Sequence, residues 1–181
     1  QLPAARPLTQ MPILGHIAAL LLGVEGIRLF EDQAVDKPPG DDEAIVGWHT
    51  DAAYASTCSS DNLVTAWIPF SDVTTGSGAL LAIPGSHLWP GTEHMRHFQA
   101  RDLDRLPELV GPGREEGKVS TIEVLKGQVE FHHGRLLHAS AANRSERSRL
   151  ALAVTLQDSA NEYRDAQGPD GQPVELPINR L

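Results

Sequence analysis

Two histidines and one aspartate offer the chain's most specific chemistry. His49 and Asp51 stand two apart in Trp48-His49-Thr50-Asp51, and His138 opens a His-Ala-Ser run far downstream. On a strand, residues i and i+2 share a face one pleat apart, so His49 and Asp51 can take neighbouring positions on one metal ion. Two imidazoles and a carboxylate on one side of the metal form the ligand set of a non-haem iron(II) centre, with the other side open for oxygen chemistry. Arg149 follows His138 by 11 residues, a fixed cation suited to holding an acidic cosubstrate. Alone, His-x-Asp is common. The distal histidine and the following arginine turn it into the expectation of an enzyme.

The chain has 8 histidines, and most have simpler readings. His94 and His97 lie in a charged stretch and read as surface residues. His87 follows the Pro84-Gly85-Ser86 turn and reads as a hydrogen-bonding brace. His132 and His133 compete with His138 for the metal, but adjacent strand residues face opposite ways, so one of them must point away. His16, within an apolar helix, reads as a core histidine.

These residues need a frame. At 181 residues the chain suits one domain, 1–181, with enough length to bury a core without staples. It enters a formed segment soon after Gln1, which implies residues upstream of it. With 15 Lys+Arg against 24 Asp+Glu the net charge is −9, which disfavours nucleic acid or an anionic membrane as the main partner. A single cysteine, Cys58, excludes an internal disulfide and points to a cytoplasmic setting, with Cys58 itself a small apolar filler. No apolar run approaches the ~20 residues needed to span a bilayer, and no basic leader precedes Ile13–Val24 as in a signal peptide.

Residues 1–10 have no period and read as an irregular lead-in. Ile13, Ile17, Leu20 and Leu21 predict a buried helix over 11–23, stopped by Gly23. Residues 26–35 alternate as a strand, followed by the Pro38-Pro39-Gly40 turn and the acidic loop Asp41 to Glu43. Beyond them come short strand-like runs at 44–48, 62–70, 78–83, 120–125, 128–133, 136–139 and 148–156. Such a series predicts a mainly β barrel or jelly roll with a few flanking helices. Residues 90–118 read as a long loop over the barrel mouth, with a helical turn or two within 102–109. Its arginines, Arg96, Arg101, Arg105 and Arg114, are interspersed with acids that include Glu115 and Glu116, which reads as a solvated face.

In the last strand Leu150, Leu152, Val154 and Leu156 share one face, and Arg149, Ala151, Ala153 and Thr155 the other. The first face suits packing on a helix or second sheet, the second the lining of a cavity. Leu63, Thr65 and Trp67 likewise share one parity. An arginine facing a lumen requires an anion. Ser140 shares the face of His138 and looks inward with it, whereas Arg144 and Arg147 sit in the preceding turn and read as exposed.

The sequence resembles the phytanoyl-CoA dioxygenase family of iron(II)/2-oxoglutarate oxygenases from about Ile27 to Gln157. The resemblance rests on Lys37-Pro38-Pro39-Gly40, Trp48-His49-Thr50-Asp51 with Tyr54, Ala66-Trp67-Ile68-Pro69 and Gly78-Ala79-Leu80. It continues through Pro84-Gly85-Ser86-His87, Phe131-His132-His133, His138-Ala139-Ser140 and Ser148-Arg149. It implies a double-stranded β-helix, with Fe(II) held by His49, Asp51 and His138. It also implies 2-oxoglutarate as cosubstrate, its far carboxylate on Arg149 and the Ser140 hydroxyl, with Trp67 beside it. Polar residues equivalent to Gln33 and Lys37 contact cosubstrate or substrate in relatives, and Tyr54 is a candidate border of the substrate.

Related halogenases carry a small residue in place of the carboxylate ligand, so Asp51 favours oxygen insertion over halogenation. The expected activity is hydroxylation of a C–H bond in a small metabolite or natural-product intermediate, with release of succinate and CO2. Desaturation, epimerisation and ring closure are alternative outcomes of the same chemistry. From other classes come a non-catalytic jelly-roll module with a structural metal, and a cupin-like isomerase or dioxygenase that needs no 2-oxoglutarate. Arg149 speaks against the structural-metal reading, since a structural site has no use for a cavity-facing cation.

Overall fold

A computed structural model describes residues 5–111, 114 and 119–165; the expectations for Gln1 to Ala4, Glu115 and Glu116 fall outside them. Eight strands form two antiparallel sheets of four. They are β1 (Ile27–Lys37), β2 (Val46–His49), β3 (Leu63–Pro69), β4 (Leu80–Ala82), β5 (Ser120–Ile122), β6 (Glu130–His133), β7 (His138–Ser140) and β8 (Arg149–Asp158). One sheet runs β1-β8-β3-β6 and the other β2-β7-β4-β5, the two halves of a jelly roll.

The alternation predicted for β8 holds. Leu152, Val154 and Leu156 pack outward with Val64, Ala66 and Ile68 of β3 against Leu14 and Ala18 of helix α2 (Pro12–Leu22). Burying such a side chain is worth about 1.5–3 kcal/mol, so this layer fixes which face of the sheet looks inward. Leu150, at the strand's start, is exposed. Opposite them Arg149, Ala151 and Thr155 are buried, with Ala153 half-buried.

Helix α2 is present, ended as expected by Gly23 at φ 68° in the left-handed region. It docks on another face than the spacing predicted. Leu14 and Ala18 are its buried residues, while Ile13, Leu20 and Leu21 are exposed and Ile17 half-buried. Ala18 lets the helix approach the sheet closely, which a stripe of Leu and Ile does not. His16 is therefore exposed, not a core histidine. The lead-in is not irregular throughout either, since Arg6–Thr9 forms one helical turn, α1.

The segment after Trp89 is more ordered than a loop. Two short 3-10 turns (Thr92–His94 and Leu103–Arg105) and helix α3 (Leu106–Val110) lay Met95, Leu103, Leu106 and Leu109 against Trp48, Ile83, Leu137 and Ala139. The Trp48 indole N–H donates to Leu103 O at 2.9 Å, and Gly47 N–H to Phe98 O at 2.9 Å. This segment thus runs along β2 as an extra edge. His94 and His97 are exposed, as predicted. In the 84–87 turn the brace is Ser86, not His87. The buried Ser86 Oγ accepts from Leu137 N–H at 2.8 Å, one residue before His138.

Candidate metal centre

His49 ends β2, and Asp51 opens the short 3-10 turn Asp51–Tyr54 that follows it. His138 opens β7 on the neighbouring strand, directly opposite His49 in register. A bulge between Val46 and His49 brings the two rings together, tilted by 53° with centroids 4.1 Å apart. It falls at Gly47, where a Cβ would lie 2.1 Å from His97 O and 2.5 Å from Ala100 O, so only glycine fits. Thr50, wholly buried, anchors the link between the two acid-base groups by donating to Thr92 O at 2.8 Å.

The donors converge. Asp51 Oδ1 lies 3.7 Å from His49 Nε2 and 3.6 Å from His138 Nε2, and one ligand atom from each residue lies within 4.8 Å of the others. Each ring is oriented by its other nitrogen. His49 Nδ1 meets Gly47 O at 2.8 Å and His138 Nδ1 meets Leu136 O at 2.9 Å, which makes Nδ1 the donor and leaves the Nε2 lone pair for a metal. Burial, aided by His49, pushes the His138 ring down to about 3, and burial pushes His49 down as well. Burial works against the Asp51 carboxylate, but His138, His132 and His49 hold it well below the ordinary range. The three groups therefore stand in metal-binding protonation at neutral pH. Two neutral imidazoles and a carboxylate fit a divalent first-row ion.

The other sheet forms the opposite wall, and its register reads as rows. Glu31, Thr155, Thr65 and His132 lie in one row across β1, β8, β3 and β6; Gln33, Ala153, Trp67 and Glu130 in the next; Lys37 and Arg149 close the end. A cavity of about 400 Å³ lies between these rows and the His-Asp-His cluster. Arg149 is buried in its wall. Its guanidinium carbon sits 5.0 Å from the centre of the Trp67 ring, Nη2 reaches Ser140 Oγ at 3.5 Å, and Nε and Nη1 are buried with no acceptor among the described residues. Burial lowers this guanidinium to about 10, still charged at neutral pH. A buried cation with unused donors is costly unless an anion joins it, and a carboxylate is an anion that fits.

Gln33 lines the cavity from β1. Tyr54 is exposed and outside the cavity lining, edge-on to His49 at 6.2 Å and under the Arg96 guanidinium. Lys37 also borders the cavity, but its ammonium donates to Ala44 O, Ser140 O and Ala141 O at 2.6, 3.2 and 2.8 Å. All three of its protons are engaged, so it ties β1 to β7 and has none left for a ligand. Arg144 and Arg147 are exposed, as predicted.

Of the competing pair, His133 turns away from the site and half-buries beside His87, whereas His132 points in. His132 Nε2 lies 3.1 Å from Asp51 Oδ2, and Thr65 Oγ1 donates to the same oxygen at 2.6 Å. Thr65, Glu130 and the inward role of His132 escape a reading of single residues. Their signal is the period-2 pair Glu130-x-His132, on the parity that faces inward.

Residues 5–151 match the family described as phytanoyl-CoA dioxygenase. A phytanoyl-CoA dioxygenase domain-containing protein 1 homolog from Caenorhabditis briggsae is 26% identical over 144 residues, 77% of this chain and 50% of that protein. The chain spans about half the length of the curated relatives it matches. Among solved structures, the non-heme alpha ketoglutarate dependent carbocyclase SnoK from nogalamycin biosynthesis is 27% identical with a TM-score of 0.72, covering 97% of this chain and 70% of that one. The epimerase SnoN, in complex with Fe3+, alpha ketoglutarate and nogalamycin RO, is 26% identical with a TM-score of 0.73, covering 94% and 68%. The length of the match and the order of its motifs place this chain in the phytanoyl-CoA dioxygenase family.

Proposed function

We propose that the chain is the catalytic domain of an Fe(II)/2-oxoglutarate-dependent oxygenase acting on a C–H bond of a small organic molecule. The observation that carries this reading is the pairing, in one cavity, of a His-Asp-His cluster with a buried arginine that has two unused donors. When bound, iron(II) and 2-oxoglutarate supply the oxidation, in which the keto acid and O2 give succinate and CO2 and the substrate is oxidised.

The chain's own residues bind, orient and shield. His49, Asp51 and His138 hold the metal from one side, each imidazole offering Nε2 because a carbonyl holds its Nδ1–H. Arg149 receives the far carboxylate of the cosubstrate through two parallel N–H donors, the Ser140 hydroxyl assists, and the Trp67 ring backs the guanidinium. Gln33 stands one row from Thr65 and His132, where its amide can meet cosubstrate or substrate. Phe98, 4.8 Å from the His49 ring, and Leu80 keep water from that wall.

Hydroxylation is the outcome we favour. Epimerisation or ring closure is the second reading, supported by the epimerase and carbocyclase among the solved structures similar to this chain. Retention of Asp51 argues against halogenation, and the unused donors of Arg149 argue against a purely structural metal. The buried free Cys58 suits work in a reducing cytoplasm, and among the described residues no helix is long and apolar enough to cross a membrane.

Anaerobic titration of the protein with iron(II) and then 2-oxoglutarate tests the reading. A visible charge-transfer band is expected, and its absence from iron-loaded protein overturns it. Succinate release across candidate small molecules then identifies the substrate.

A further inference from the structure

Asp51 has two carboxylate oxygens, and the chain treats them differently. Oδ1 faces the two Nε2 atoms. Oδ2 faces the other sheet, where it takes the Thr65 hydroxyl at 2.6 Å and lies 3.1 Å from His132 Nε2. Behind His132 lies Glu130, whose Oε2 is 2.8 Å from Nδ1. Strand alternation sets Glu130 and His132 on the same inner face of β6. Both side chains are buried, exposed by only 10% and 4%. The His132 ring packs 4.6 Å from that of His138, so it is held by packing as well as by hydrogen bonds.

A carboxylate free to turn can bind a metal through both oxygens and so occupy a further coordination position. In a site that must also admit a chelating cosubstrate and O2, that position is needed. We propose that the Glu130–His132 pair is a positioning device which, together with Thr65, restricts Asp51 to binding the metal through Oδ1 alone. Glu130 fixes the ring, the ring's Nε2–H occupies Oδ2, and the coordination positions toward the cavity stay free. The inference rests on the metal-centre reading given above. Partners that orient a metal ligand typically change metal affinity by about 10–100-fold when removed.

The test uses the whole chain with Co(II) as a probe, whose visible d–d spectrum reports coordination number as well as occupancy. His132→Phe keeps the ring volume and removes the donor. It should weaken Co(II) binding about 10–100-fold and change the band intensity. His132→Gln, which restores an N–H donor, should recover most of both. Glu130→Gln should weaken binding less than His132→Phe. A purely packing role predicts no spectral change and no rescue by Gln. If His132→Phe fails to fold by circular dichroism, Glu130→Gln decides the matter, and a wild-type spectrum and affinity in that variant overturn the inference. Wild-type protein that binds Co(II) alongside Glu130→Gln and folded His132→Phe that bind it identically removes the positioning role and leaves the metal centre standing. Wild-type protein that binds no Co(II) removes both.

Discussion

The Arg149 guanidinium, on one sheet, reaches the Ser140 hydroxyl on the other at 3.5 Å, and two of its three nitrogens find no acceptor among the described residues. A buried guanidinium so placed is suited to receive an anion. Arg149→Ala should weaken 2-oxoglutarate binding at least 10-fold while iron(II) binds as before. Charge-assisted hydrogen bonds of about 1.5–3 kcal/mol set that scale. Anaerobic titration of the charge-transfer band, with metal content measured on the same samples, checks both halves.

The two ligand histidines are predicted to be neutral before metal arrives. Burial pushes His138 down to about 3, so it is a neutral imidazole throughout pH 6 to 8, and burial shifts His49 in the same direction. Ordinary histidines, near 6.5, release protons to a metal in this range. Calorimetry of metal binding in buffers of different ionisation enthalpy should therefore show less proton release at pH 6 than two ordinary histidines would give. Release matching two ordinary histidines refutes their assigned state.

Gly47→Ala should be strongly disruptive despite adding one methyl group. Its Cβ would meet two backbone oxygens at 2.1 and 2.5 Å, and backbone cannot swing aside as a side-chain tip can. The 95–100 segment must move away, taking Phe98 from the His49 ring. We expect a loss of about 1–3 kcal/mol of stability, as for other overpacked sites, together with weaker metal binding. Denaturant melts and Co(II) affinity test this.

Lys37 gives the fold a pH dependence with a defined sign. Burial, followed by Arg149, pushes its amine down to about 7 from 10.5. Between those values the folded chain binds fewer protons than the unfolded one, so this residue's contribution favours folding as pH rises. Its cost is full below pH 7 and gone above 10.5. The slope is at most about 1.4 kcal/mol per pH unit. Lys37→Met should remove that slope and lower stability overall, since Ala44, Ser140 and Ala141 lose a donor. Urea melts from pH 6.5 to 9.5, compared between the two proteins, measure it.

Much of the site is legible because β8 is strongly periodic and β3, though less clean, keeps one parity for Leu63, Thr65 and Trp67. Arg149, Thr155, Thr65 and Trp67 fall inward by parity alone, and their outward neighbours are aliphatic. Helix α2 was harder because it is apolar on several sides, so its spacing identified a helix but not its docking face. Shape decided that, through Ala18. The bulge at Gly47 and the clamp on Asp51 were out of reach for another reason. Both depend on which residues oppose one another across strands, and Thr65, His132 and Asp51 come from three separate stretches. His132 was weighed as a ligand rival because its residue type suits a metal, whereas its register against Thr65 gives it a different task.

The rows described above divide the cavity's walls between the sheets, with His49, His138 and Ser140 on one and Thr65, Trp67, His132 and Arg149 on the other. Any molecule that touches both walls is consequently a rivet through the sandwich, and prising the layers apart must first release it. Occupancy and mechanical integrity then become one quantity. A cosubstrate present at 100 times its dissociation constant raises unfolding free energy by about 2.7 kcal/mol. Protease resistance should follow ligand concentration, and Arg149→Ala should break that connection for the cosubstrate while leaving it intact for the metal.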